Sequence, residues 1–176
     1  MAEDKILVAY ASKRGSARQA AEWISEELGA DCDLVDLKTS PGIDIEAYGT
    51  VVLGSGIMAG SAYPPLERFI KRNREKLVFK DLCLFITHLE KGEGIEKDFQ
   101  SAFDEGLLKR ARVRMGVGGR LILSQLNFLY RMIFRRISKN KGVDLDNYDS
   151  LSREACAEFA GKVLAGAGEE TGETVH

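Results

Sequence analysis

The apolar run ILVAY, within KILVAY (residues 5–10), passes through ASKRGS into a stretch whose apolar residues Ala17, Ala20, Ala21, Ile24 and Leu28 share one helical face. No residue type constrains the fold as much as this junction. A strand that is apolar at consecutive positions has two faces to bury, so it belongs inside a sheet covered on both sides. A helix that follows within a few residues supplies the cover for one side. Its first N–H groups have no partners in the preceding turn, so the junction is also a ready anion site.

The same unit recurs. Strands are predicted at 5–10, 32–37, 50–55, 81–87 and 112–118, and helices near 16–29, 65–77, 94–109, 122–140 and 151–165. Strands joined by helical crossovers imply a doubly wound five-stranded parallel α/β sheet, in the order 2-1-3-4-5. A chain of 176 residues is long enough for one such domain with a substantial core. Residues 1–166 are expected to form it, with a long basic helical insertion (119–141) after the fifth strand and a disordered acidic tail at 167–176. Ligands of such sheets bind beyond the carboxyl ends of the strands, where the strand order reverses. That directs attention to the loops 11–17, 55–64 and 87–93.

The first loop has neither the GxxxxGK[ST] of nucleotide hydrolysis nor the GxGxxG of dinucleotide binding. It offers the hydroxyls of Ser12 and Ser16, the cations Lys13 and Arg14, and backbone N–H groups from Gly15 to Ala17, a compact phosphate cradle. An ordinary strand-to-helix turn capped by serine is the alternative. In the second loop, GSGIMAGSAYPP, Gly54, Gly56 and Gly60 let the backbone approach a flat ligand, and Ile57 and Met58 provide apolar cover. The third, THLEKGEG, supplies Thr87 and His88. A phosphate cradle beside two loops able to sandwich a ring suits a mononucleotide such as FMN.

YASKRGSARQAA, VVLGSGIMAGSAYPPLERFIKRNREKL and GVGGRLILSQLNFLYRMIFRRISKNKG together resemble the flavodoxin-like family, and within it the branch of menaquinone-dependent protoporphyrinogen IX dehydrogenases. The resemblance covers about residues 5–165. It implies a flavodoxin-like fold with FMN as cofactor. Carried over by position, Ser12, Lys13, Arg14, Gly15, Ser16 and Ala17 hold the phosphate. Ser55, Gly56, Ile57, Met58, Ala59 and Gly60 flank the ring on one side, and Thr87, His88, Leu89 and Glu90 on the other. The usual cradle of that family is neutral. Lys13 and Arg14 are therefore expected to offset the repulsion between the phosphate and incoming electrons, raising the flavin potential. His88 is a candidate proton or hydrogen-bond donor to reduced flavin or substrate, with an ordinary surface histidine as the alternative.

From Leu108 to Gly142 there are ten Lys and Arg and no acid, and since the whole chain is −2, the remainder carries −12. At about 100° per residue, Ile122, Leu123, Leu126, Leu129, Tyr130, Ile133, Phe134 and Ile137 share one arc that packs on the body. Leu121, Phe128 and Met132 fall opposite, among Arg131, Arg135, Arg136 and Lys139. Apolar side chains among cations suit an anionic membrane surface, an acidic amphiphile such as a porphyrinogen, or an acidic redox partner. Aromatic residues are too few there for a nucleic-acid stacking platform.

Cys32, Cys83 and Cys156 are widely spaced, without any CxxC, and read as buried free thiols of a reducing compartment. With two histidines, one of them the last residue, no metal site is expected. The acidic start, MAEDK, is unlike a secretory signal, and no run approaches a membrane span, so a cytoplasmic protein, at most peripheral at the inner membrane face, is expected. Three functions stay open: an FMN-dependent dehydrogenase of protoporphyrinogen type passing electrons to a quinone, a flavodoxin-type electron carrier docking on a protein partner, and a flavodoxin-like interaction domain without flavin.

Overall fold

A computed structural model describes residues 5–58, 60–141 and 147–167. In chain order the elements are β1 (Ile6–Ala11), α1 (Ser16–Leu28), β2 (Cys32–Asp36), β3 (Thr50–Met58), β4 (Ser61–Ala62), α2 (Pro64–Leu77), β5 (Asp81–Thr87), α3 (Glu93–Ala102), α4 (Glu105–Arg110), β6 (Val113–Gly116), β7 (Arg120–Ile122), α5 (Phe128–Lys141), β8 (Asn147–Asp149) and α6 (Arg153–Ala167). Five parallel strands form the sheet in the order β2-β1-β3-β5-β6, which is the expected 2-1-3-4-5 with the short β4 counted.

Strand alternation builds two cores. Leu7, Ala9 and Ala11 of β1 point into one layer, against α2, α3 and α4, while Ile6, Val8 and Tyr10 point into the other, against α1 and α6. All six residues of β1 are buried, as an apolar run with two covered faces requires. The central strands pack tightly. A Cβ at Gly54 would stand 1.9 Å from the ring of Phe85, which meets Phe159 of α6 edge-on with centroids 5.9 Å apart. At the sheet edge, Arg112 grips both oxygens of Asp81 at 2.6 and 2.8 Å and donates to the Lys162 carbonyl, tying β5, β6 and α6 together.

Three sequence expectations change. The helix expected at 94–109 breaks at Phe103–Asp104, because Asp104 takes an extended backbone and its carboxylate accepts the Leu107 N–H, starting a new helix. The strand expected to stop at residue 55 continues to Met58 and turns back, Ile57 pairing with Ala62 and Met58 with Ser61. The helix expected from residue 122 starts at Phe128. Leu121 instead pairs with Tyr148 in a separate β7–β8 ribbon, a single 3₁₀ turn follows at Leu123–Gln125, and Asn127 caps α5 by accepting the Tyr130 N–H. Helical spacing of Leu and Ile in 121–126 is met here by a strand and a turn burying Leu121, Leu123 and Leu126 together. The expected acidic tail lies, beyond residue 167, outside the described residues.

Candidate functional site

Beyond the carboxyl ends of β1, β3 and β5 lies a cavity of about 450 Å³, bounded by the three loops that the strand order singles out.

One end is the β1–α1 loop and the start of α1. Gly15 stands at φ 95°, which glycine tolerates, and turns the chain from β1 into α1. No side chain caps α1 and its first turn contains no acid, so its leading N–H groups and dipole face the cavity uncompensated. Ser12 Oγ accepts the Gly15 N–H at 3.1 Å, which holds the loop closed. Lys13 is exposed and Arg14 half-buried, and both border the cavity. The Arg14 guanidinium donates to the Gln125 carbonyl at 2.8 Å, while its Nε is buried without a partner. Ser16 Oγ donates to the Arg120 carbonyl at 3.4 Å. The cradle is thus fastened to the basic segment.

The middle is a flat slot. Gly56, Ile57, Met58 and Gly60 border it from the β3–β4 hairpin, with Tyr63 at the start of α2. Ser55 is completely buried behind this wall. Its Oγ accepts the Tyr63 N–H at 3.0 Å and donates to the Gly56 carbonyl, so it pins the hairpin instead of facing the cavity. Ala59 lies outside the described residues. Thr87, His88, Leu89 and Glu90 also border the cavity.

The basic segment supplies the remaining wall through Gly119, Arg120, Leu121, Tyr130 and Phe134. The sequence reading had placed Tyr130 and Phe134 in the body-packing arc. They do pack inward, against Leu121, Leu123 and Leu126, and also border the cavity, adding two aromatic side chains to Tyr63. Leu121, expected on the docking side, is 2% exposed in this wall. Arg131, also expected there, turns back to donate to the Leu126 carbonyl at 3.0 Å. Leu129 and Ile133, expected to pack, are exposed with Phe128 and Met132. Arg135, Arg136 and Lys139 are exposed as expected.

Asp98 of α3, which the sequence reading missed, borders the cavity at 8% exposure. Burial is the main cause of its raised pKa, and Glu90 adds to it while His88 opposes it. Only the pairing of α3 with β4 reveals it, since an Asp in EKDFQ reads as solvated surface. The Gly118–Gly119 pair was the one available signal for the third wall. A Cβ at Gly119 would fall 2.5 Å from the His88 carbonyl oxygen, so only glycine admits this approach. Cys83 and Cys156 are buried, their thiols pushed up to about 12 and about 11 by burial, whereas Cys32 is only partly covered. None of the three borders the cavity.

An uncapped cationic helix end, a glycine-floored apolar slot and two aromatic faces fit a phosphate joined to a planar ring. Among the described residues no helix is long and apolar enough to cross a membrane.

A family model described as a flavodoxin domain matches residues 7–147. No curated protein matches the chain. Among solved structures, Flavodoxin 2 from Bacillus cereus is similar at TM-score 0.60 and 20% identity, over 92% of this chain and 99% of that one. Two-electron reduced flavodoxin from Megasphaera elsdenii is similar at TM-score 0.56 and 15% identity, over 91% and 98%. Rubredoxin oxygen:oxidoreductase from Desulfovibrio gigas is similar at TM-score 0.58 and 14% identity over 97% of this chain, which spans 37% of that longer one. At these identities the likeness shows the fold.

Proposed function

The chain belongs to the flavodoxin domain family, and on that premise we propose that it is an FMN-dependent oxidoreductase taking electrons from a reduced anionic amphiphile, of protoporphyrinogen type, and passing them to a quinone. FMN is the cofactor of this family. When bound, it supplies hydride and one-electron chemistry, and the protein supplies position and electrostatics.

In this reading Ser12, the α1 amides, Lys13 and Arg14 hold the phosphate. Gly56, Ile57 and Met58 bear on one face of the ring, and Tyr130 and Phe134 close the cavity from the basic segment and exclude water. The observation that carries the reading is that one segment does two things. Its inner side walls the cavity, and its outer side presents Phe128 at 75%, Leu129 at 63% and Met132 at 55% exposure beside Arg135, Arg136 and Lys139. An amphiphile with carboxylates matches that outer side by burying apolar surface while pairing its charges with arginine. An electron carrier docking on a protein partner is the second reading, favoured by the −12 carried outside the basic segment.

Anaerobic mixing of FMN-loaded protein with protoporphyrinogen IX separates the two. Rapid bleaching of the flavin spectrum, reversed by a menaquinone analogue, is the expected result. A spectrum indifferent to the porphyrinogen turns the assignment to the carrier.

The cradle cations carry their own prediction. Replacing Lys13 and Arg14 together by Ala removes positive charge beside the phosphate and disfavours electron uptake. The reduction equilibrium is expected to weaken about a hundredfold, the effect of two unit charges each about 12 Å away at an effective dielectric of about 20. Redox titration of the FMN-loaded variant reads this as a lowered potential, and an unchanged potential places both side chains out of electrostatic reach.

A further inference from the structure

The two ends of the cavity have opposite character. Lys13 and Arg14 stand at the cradle, whereas Glu90, Asp98 and His88 gather at the ring end. A buried carboxyl normally finds an arginine or a set of N–H donors. Asp98 is 8% exposed and, among the described residues, receives no hydrogen bond to its carboxylate, whose oxygens keep contact with the solvent that reaches the cavity. The ionisable groups that act on it are Glu90 and His88, both from the chain leaving β5.

His88 is held in one orientation. Its backbone N–H donates to the Gly118 carbonyl at 3.1 Å, and Nδ1 lies 2.9 Å from the Glu90 carbonyl. A carbonyl only accepts, so Nδ1 carries the hydrogen and Nε2 is left as a base. That Nε2 is buried and unpartnered, on a side chain 7% exposed, and it lies against Gly116, where a Cβ would stand 2.4 Å away. Asp98 and His88 thus both border the cavity, the carboxyl with no hydrogen-bond donor among the described residues.

We propose that Asp98, coupled to His88, is a redox-linked proton site. The proposal rests on the reading that the cavity holds FMN. As an electron from the external donor adds negative charge to the cavity, one proton from water forms an O–H bond on the Asp98 carboxylate. On oxidation the electron leaves to the acceptor and the proton returns to water. Burial and the neighbouring Glu90 already hold the Asp98 carboxyl above the usual carboxylate range, and the added charge raises it further.

The sign is definite. An ionised Asp98 disfavours electrons in the cavity, so the potential falls more steeply as pH rises through its ionisation and returns above it to the slope set by the flavin's own proton uptake. Asp98→Asn keeps the shape and removes the charge. In potentiometric titrations of FMN-loaded protein between about pH 5 and 9, the wild type is expected to show this break and the variant to lose it. Above the break the variant is expected to bind reduced FMN about tenfold more tightly, the equivalent of one unit of coupled pKa, with oxidised FMN bound as before. Carbon-13 NMR of aspartate-labelled apoprotein gives a second readout, in which one carboxyl titrates above the ordinary range and vanishes from the spectrum of the variant. Superimposable pH profiles, or an Asp98 that titrates like a surface carboxylate, overturn the proposal. If neither protein binds FMN, the cofactor reading fails instead, and the carboxyl titration still decides whether Asp98 holds a proton.

Discussion

Ser16→Asp is expected to weaken FMN binding at least a hundredfold while leaving the apoprotein as stable as before. Residue 16 is the first of α1, an end with no side-chain cap and no acid in its first turn. A carboxylate there takes the place of the phosphate. It interacts favourably with the helix dipole, contributing about 0.3–1 kcal/mol, so the fold does not suffer. Against the phosphate the same charge is repulsive by about 4 kcal/mol for unit charges about 4 Å apart at an effective dielectric of about 20, or about three decades in affinity. Ser16→Ala is the control. It removes only the long hydrogen bond to the Arg120 carbonyl, 3.4 Å in length, and is expected to stay within about tenfold of the parent. Flavin fluorescence titration measures both affinities, and urea unfolding checks the fold. A Ser16→Asp protein that binds FMN like its parent shows that the cradle is not the phosphate site.

Phe128→Asp combined with Met132→Asp is expected to abolish binding to anionic vesicles without disturbing the core. Both side chains lie on the outer side of α5, beside Leu129 and Ile133, at 75% and 55% exposure. Burying each in the interfacial region of a bilayer is worth about 1.5–3 kcal/mol. Arg135, Arg136 and Lys139 each add about 1 kcal/mol near an anionic surface. Two carboxylates remove the first contribution and offset most of the second, a loss of well over about a hundredfold in partitioning. Cosedimentation with vesicles of phosphatidylglycerol and phosphatidylcholine, against phosphatidylcholine alone, reads the effect. A parent protein that binds neither vesicle assigns this face to a soluble acidic substrate or protein partner.

The site was partly legible, and the division follows the range of the interactions. The cradle could be read because its parts are adjacent in sequence, a strand end, a glycine and a helix start within Ala11–Ala17. Thr87, His88 and the Gly56–Met58 stretch followed from strand order alone, since strand order decides which loops meet. Ser55 was assigned to the same wall but faces away, because the ladder continues past it to Met58 and alternation turns its hydroxyl behind the hairpin. In the basic segment the apolar face was recognised, yet its phase was shifted. Starting the helix at residue 122 in place of Phe128 rotates the arc, so Leu129 and Ile133 were expected inside and Leu121 outside. Nothing local marks Leu121 as a strand residue. Its partner Tyr148 is 27 positions away.

By itself, the sequence determined that this chain is a doubly wound parallel sheet whose first strand turns at a glycine loop into a helix start. Those features rest on periodicity, loop chemistry and short crossovers, all local in the chain. Tertiary structure alone decided what closes the cavity and what charge it contains. Tyr130 and Phe134 face it because α5 folds back across the strand ends, and Asp98 enters it because α3 packs beside β4. An apolar stripe records only that something covers it, and a carboxylate in a helix records nothing about burial. Which surface meets which is settled by packing between distant segments, and no window of the sequence contains both partners.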